Sequence, residues 1–188
     1  MLKDEVAKAF KIIQDGGIIL YPTDTIWGIG CDATNTEAIK KIYRLKQREE
    51  AKSMIILLDT DNKLQSYVQE VPEIAYDLIQ YAENPLTLVM PGAKNISPAL
   101  ISGDGSIGIR ISTHPFCQQL IQRMRRPLVS TSANISGKPS PQYFSQIDAE
   151  IINGVDYVVD IDQHSMEIRN PSTIMRLEPS GKFEFLRR

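Results

Sequence analysis

Apolar residues recur along this chain in two rhythms, one of helical and one of strand period. Between residues 3 and 14, Val6, Phe10 and Ile13 fall at helical spacing, and Gly16-Gly17 then supplies a stop before the apolar run Ile18-Ile19-Leu20-Tyr21. That is a helix feeding a strand. Thr34 and Glu37 have capping-box spacing ahead of Ala38, Ile39, Ile42 and Leu45, which predicts a second helix ending near Leu45. Strands are predicted over 53–58, 86–90, 107–111 and 127–134. Between them come a helix over 72–82, with Ala75, Leu78, Ile79 and Ala82 inward, and another carrying the stripe Phe116, Leu120, Ile121 and Met124. A short helix over 147–152 precedes closing strands at 155–159, 172–177 and 182–187, the last two joined by Pro179-Ser180-Gly181.

Alternation of helices and strands predicts a twisted α/β sheet with flanking helices, and the helix-free run of closing strands makes that sheet mixed. No repeat and no linker interrupts the pattern, so residues 1–188 are expected to form a single domain. The segment from Pro91 to Gly105, rich in Gly, Ser, Pro and Asn, is expected to be a long surface loop and a candidate lid, with Ser136–Pro141 as a second one. In the alternating run 107–111, three isoleucines take one face and Gly108 and Arg110 the other. Arg110 should therefore stand on an uncrowded surface.

Polar residues cluster where predicted strands end. Pro127-Leu128-Val129 runs into Ser130-Thr131-Ser132-Ala133-Asn134, and Ile18–Tyr21 runs into Pro22-Thr23-Asp24-Thr25. Ligands of open α/β sheets gather at such strand ends. Lys46-Gln47-Arg48 leaves the second helix, and in an extended segment both cations would project to the same side. Hydroxyls beside cations point to a phosphate-bearing ligand, with the serines as hydrogen-bonding groups, since no histidine is placed to activate them. His114 precedes Pro115 at a helix start and reads as a turn residue.

Composition narrows the partners. A formal net charge of -2 gives the molecule no overall attraction to nucleic acid, while 42% hydrophobic and 23% charged residues are ordinary for a globular protein. Cys31 and Cys117 lack metal or disulfide spacing, which fits a reducing cytoplasm. The first ten residues carry no signal core, no stretch is long enough to span a membrane, and no membrane partner is expected. Gly28-Ile29-Gly30-Cys31-Asp32-Ala33 matches a dinucleotide fingerprint but lacks the strand-turn-helix setting, so a tight bend with close backbone approach is expected instead. P-loop, GxSxG and HExxH motifs are absent.

Taken together, YPTDTIWGIGCDA at 21–33, KQR at 46–48, IGIRI at 107–111, STSAN at 130–134 and NPSTI at 170–174 resemble the YrdC family. The likeness implies a single α/β domain around a basic concave cavity, without the second domain that longer relatives append. It implies an L-threonylcarbamoyladenylate synthase, joining L-threonine, bicarbonate or CO2 and ATP into threonylcarbamoyl-AMP and pyrophosphate for the t6A modification of tRNA. Alternatives are an RNA-binding module and a paralogous synthase with a different amino acid. By resemblance, Lys46, Arg48, Ser132 and Asn134 are the catalytic set at the nucleotide phosphates, and Lys52, Ser106, Ser140 and Arg187 also lie near ATP. Thr25, Arg110, Ser130 and Ser172 would hold threonine or its carbamate. Mg2+ is expected with ATP, the t6A transfer machinery downstream, and weak RNA or tRNA contact besides. Leu57 replaces a histidine common in the family, and Trp27 a tyrosine.

Overall fold

The computed structural model describes residues 1–48 and 54–188. Lys52 and Ser53 lie outside the described residues. In chain order come α1 (Leu2–Gln14), β1 (Ile19–Tyr21), β2 (Gly28–Gly30), α2 (Thr36–Leu45), β3 (Ile55–Leu58), α3 (Leu64–Tyr67), α4 (Ile74–Gln80) and β4 (Leu86–Pro91). The second half supplies β5 (Ser106–Ile111), α5 (Pro115–Met124), β6 (Leu128–Ser132), α6 (Ala149–Gly154), β7 (Tyr157–Val158), β8 (Thr173–Leu177) and β9 (Phe183–Arg187).

The strands join into one twisted sheet in the order β7-β1-β2-β6-β3-β5-β4-β8-β9. It is mixed: β1/β7, β3/β5 and β4/β8 are parallel, and the other neighbours antiparallel. Strand alternation sorts the side chains onto two faces. On one face Leu20, Ile29, Ile56, Leu58, Val129, Ile107, Ile109 and Leu88 pack with Ile39 and Ile42 of α2 and with Leu100. On the other, Ile19, Tyr21, Leu57 and Leu128 pack under Val6, Ala9 and Ile13 of α1 and Phe116, Leu120 and Ile121 of α5. Beyond those two helices the second face carries Ser130 of β6, Arg110 of β5 and Thr87 of β4, with β3 between the first two: Ser130 pairs with Ile55 and Arg110 with Thr87. That uncovered stretch becomes the site.

Four local expectations change. Asn35, not Thr34, caps α2, its Oδ1 accepting from the Ala38 N–H at 3.1 Å, because Asp32 Oδ1 draws off both the Thr34 hydroxyl (2.7 Å) and its N–H (2.8 Å). Gly28–Gly30 is strand β2 and not a bend, although the close approach is real: a Cβ on Gly30 would meet the Val129 carbonyl oxygen at 2.0 Å. Ala82 lies exposed past the end of α4. Residues 91–105 are pinned to the body by Ser97 N–H to Ala33 O (2.9 Å), Lys94 N–H to Tyr67 O (2.9 Å) and the fully buried Leu100, against α2. Anchored there, that loop is poorly placed to act as a lid over the opposite face.

Candidate active site

The uncovered stretch forms a cavity of about 200 Å³, open on one side. Gly28 of β2 lines it, and Gly108 of β5 packs against two lining side chains; a Cβ on Gly108 would sit 2.8 Å from Ile55 Cγ2 and 3.4 Å from Thr87 Cγ2. The walls include Thr25, Trp27, Arg48, Arg110, Ser130, Ser132, Ser140, Ser172 and Arg187. Trp27 is braced by Phe144, ring centroids 4.9 Å apart. A larger groove of about 530 Å³ between α1, α5 and the start of α2 has its cation already engaged, since Arg126 Nη1 donates to Asp32 Oδ2 at 2.8 Å.

Three guanidiniums converge on the smaller cavity. Arg110 is 4% exposed, and its Nε lies 3.5 Å from Asp24 Oδ2, an ionic contact without hydrogen-bond geometry. Its Nη2 is buried with no hydrogen-bond partner among the described residues. A buried donor left unmade is destabilising by about 1–3 kcal/mol, so such a group marks a place where the protein awaits a ligand acceptor. Arg187 donates from Nε and Nη2 to the Ser172 carbonyl (3.1 and 2.8 Å), and burial, then the charge of Arg110, lowers its pKa. Burial likewise lowers that of Arg48. The Asp24 carboxylate opposite Arg110 already accepts from Ser112 Oγ at 2.6 Å. An electropositive cavity with unspent donors is built for an anion.

Neutral hydroxyls complete the wall. Thr25 is fixed by its N–H bond to Thr23 Oγ1 (2.9 Å) and a hydroxyl contact between the two side chains (3.0 Å). Ser172 Oγ and Thr87 Oγ1 are 2.8 Å apart across β8 and β4. Arg169 clamps the loop from outside, Nη1 donating to the Thr23 carbonyl at 2.6 Å.

A model of the Sua5/YciO/YrdC family, described as "Telomere recombination", matches residues 11–188. The chain belongs to that family. Its similarity to a threonylcarbamoyl-AMP synthase of Pseudoalteromonas translucida is 34% identity over 158 residues, 82% of this chain and 84% of that protein. A putative threonylcarbamoyl-AMP synthase of Methanocaldococcus jannaschii is 37% identical over 169 residues, 89% of this chain and 78% of that one. Among solved structures, P. abyssi Sua5 complexed with L-threonine superposes with a TM-score of 0.82 at 27% identity over 94% of this chain, which spans about half of that protein (52%). E. coli YciO shares the fold with a TM-score of 0.85 at 22% identity, over 100% of this chain and 90% of that one.

In this Sua5/YciO/YrdC chain the residues singled out from sequence part into three groups. Thr25, Arg48, Arg110, Ser130, Ser132, Ser140, Ser172 and Arg187 line one cavity. Lys46 and Asn134 stand behind its wall, bonded to each other. Ser106 is not among the lining residues; it is 2% exposed and its hydroxyl donates to Asp104 Oδ1 at 2.6 Å. The extended K-x-R segment is also corrected. Gln47 takes a left-handed φ of 50°, with Gln47 N–H bonded to Arg44 O and Arg48 N–H to Tyr43 O, the Schellman pattern of a helix end. That turn sends Lys46 inward and Arg48 to the cavity. Leu57 is fully buried under α5 and is not itself a lining residue, and it pairs with Arg110 in the β3/β5 register.

Asp24, Thr87 and Arg169 were not anticipated. Thr87 had a signal, being the polar residue in the apolar run Leu86–Met90, and it is fully buried. Asp24 sits inside a segment already recognised as polar, while nothing in the sequence around Arg169 announces a clamp. Among the described residues no helix is long and apolar enough to cross a membrane.

Proposed function

We propose that this chain is a threonylcarbamoyl-AMP synthase that uses L-threonine, bicarbonate or CO2, and ATP, and hands its product to the machinery that writes t6A into tRNA. The observation that carries this reading is Arg110, a buried guanidinium with an unpartnered Nη2 in a hydroxyl-lined cavity, in a family where a relative has been solved with L-threonine. Two of the relatives described above are named for this reaction, one of them as putative.

The cavity divides between the two substrates. Threonine, or its carbamate, takes the end bounded by Thr25, Arg110, Ser130 and Ser172, with its carboxylate on Arg110. The nucleotide phosphates take the end bounded by Arg48, Ser132, Ser140 and Arg187. Its volume is below the ~300–1,000 Å³ of sites that enclose a whole drug-sized ligand, so the nucleoside lies toward the open side. Ser106 is left out of this division because Asp104 holds its hydroxyl.

Chemistry follows from charge. The threonine amine captures CO2 and loses a proton, a carbamate oxygen attacks the α-phosphorus of ATP, and the bond to pyrophosphate breaks. Two anions must approach, so fixed guanidiniums and neutral donors lower the barrier by positioning and charge stabilisation, without a covalent enzyme intermediate. The described residues offer no cluster of three or more His, Cys, Asp or Glu side chains for a metal, and the lining is cationic, so Mg2+ would travel on the phosphate oxygens of ATP.

The test is pyrophosphate release from MgATP by folded protein. Release that requires both threonine and bicarbonate is expected. Release no greater than in an ATP-only control would overturn the reading, and a stronger response to another amino acid in a panel would reassign the substrate.

A further inference from the structure

The K-x-R and S-x-N residues do two different jobs in this fold. Arg48 and Ser132 line the cavity, whereas Lys46 is 1% exposed and is not part of the wall. The Lys46 ammonium has three N–H donors and three oxygens around it: the Ser132 carbonyl, the Asn134 carbonyl at 2.5 Å and Asn134 Oδ1 at 3.4 Å. No donor remains for a phosphate. Asn134 is spent as well, its Nδ2 donating to Ile135 O (3.1 Å) and Lys138 O (2.6 Å). The backbone closes the circuit, since Ser136 N–H donates to the Lys46 carbonyl at 2.8 Å.

Three separate segments are thereby tied into one buried knot: the helix-exit turn at 46–48, the strand exit at 132–134 and the loop at 136–140. Each of them delivers one side chain to the cavity, Arg48, Ser132 and Ser140 respectively. We propose that Lys46 and Asn134 are positioning residues, a knot that sets Arg48, Ser132 and Ser140 around the phosphates, and are not themselves phosphate ligands. Charge-assisted bonds to carbonyls are strong and directional, which suits a part that must hold three loops in register. Burial and the neighbouring Arg48 push the Lys46 pKa down to about 7, and the three oxygens oppose that by favouring the ammonium.

This deepens the synthase reading and rests on it only for the identity of the nucleotide, so its tests run on binding and on the unliganded protein. Backbone amide exchange is followed by mass spectrometry in wild type, Lys46→Met and Arg48→Met. Lys46→Met should speed exchange across 132–140 about tenfold or more without ligand, and Arg48→Met should leave that segment near wild type. Equilibrium binding of ATP and of AMP is then compared. Loss of one charged phosphate contact lowers the ATP-to-AMP affinity ratio by about tenfold or more, and this is expected for Arg48→Met. In Lys46→Met the ratio falls too, because Arg48, Ser132 and Ser140 are displaced from the phosphates, and the faster exchange before any ligand is added is what tells a knot from a phosphate ligand.

Unliganded exchange across 132–140 that does not change in Lys46→Met, with or without a fallen ratio, would overturn the proposal. Should Lys46→Met lose cooperative unfolding, the same two measurements are read on Lys46→Gln, whose amide keeps two donors. There, faster exchange across 132–140 supports the knot, and a fallen ratio with wild-type exchange refutes it. Failure of wild type to release pyrophosphate would remove the synthase reading while leaving the exchange result intact.

Discussion

Arg110 and Asp24 allow the link between stability and function to be measured. In the unliganded protein, Arg110 holds two guanidinium nitrogens without hydrogen-bond partners, and its ionic contact to Asp24 is 3.5 Å long. Each unmet buried donor destabilises by about 1–3 kcal/mol. Replacing Arg110 alone by Met relieves that strain but strands the Asp24 carboxylate, at a penalty of about 3–5 kcal/mol for a broken buried pair, so the two terms nearly cancel. The double variant Arg110→Met with Asp24→Asn removes both problems and keeps an acceptor for Ser112. It should be more stable than wild type by about 1–3 kcal/mol, which raises Tm by about 2–4 °C per kcal/mol in a chain of this size. The same variant should raise the KM for threonine at least about tenfold, the lower bound for losing a hydrogen bond to a charged group at 1.5–3 kcal/mol. Calorimetry and the pyrophosphate assay give the two readouts. A double variant clearly less stable than wild type, or an unchanged KM for threonine, would refute the reasoning.

Gly108→Ala should lower stability by about 1–3 kcal/mol in urea titrations, because its new methyl meets Ile55 Cγ2 at 2.8 Å, and should weaken ligand binding by displacing Ile55, which lines the cavity. Gln47→Gly should stabilise by about 1 kcal/mol, since Gln47 sits at a φ of 50° that glycine tolerates without penalty; a destabilised variant would mean that the side chain at the turn has a role of its own. Asp104 is held down to about 2 by the Ser106 hydroxyl and by Arg176, so its contribution is fully present above the ordinary value of 3.8 and is lost as the pH falls toward 2. Asp104→Asn should flatten that limb of the acid titration, and an unaltered acid limb would count against it.

Elements whose pattern is repeated over a full helical turn or strand were legible from sequence. The stripe Ala38, Ile39, Ile42 became the buried face of α2, and the three isoleucines of 107–111 turned from Arg110 as alternation requires. What misled was competition between local groups. Thr34 has the right spacing for a cap, and only the tertiary position of Asp32 explains why Asn35 takes the role. Residues 91–105 have the composition of a free loop, yet their backbone bonds go to Ala33 and Tyr67, distant in sequence. In the site, residue type pointed to a phosphate-bearing ligand and gathered most of the lining residues, but orientation was invisible. One left-handed residue, Gln47, separates a lysine that looks inward from an arginine that looks out.

The cavity gathers the features that a fold normally avoids, and they have one explanation. Glycines interrupt strands β2 and β5, a guanidinium is buried with idle donors, and Arg110 and Arg187 are near enough for one to depress the other's pKa. Each is unfavourable in the empty protein, and each is relieved by an anion that fills the space, accepts the donors and separates the like charges. A net charge of -2 over 188 residues shows that this is not a property of the whole surface but a local excess of positive charge held in place by the rest of the chain. Stability and function therefore draw on the same charges in opposite directions. A variant that becomes more stable by losing them should also lose most of the stabilisation that threonine or ATP gives to wild type, because ligand-induced stability measures the affinity that those charges supply.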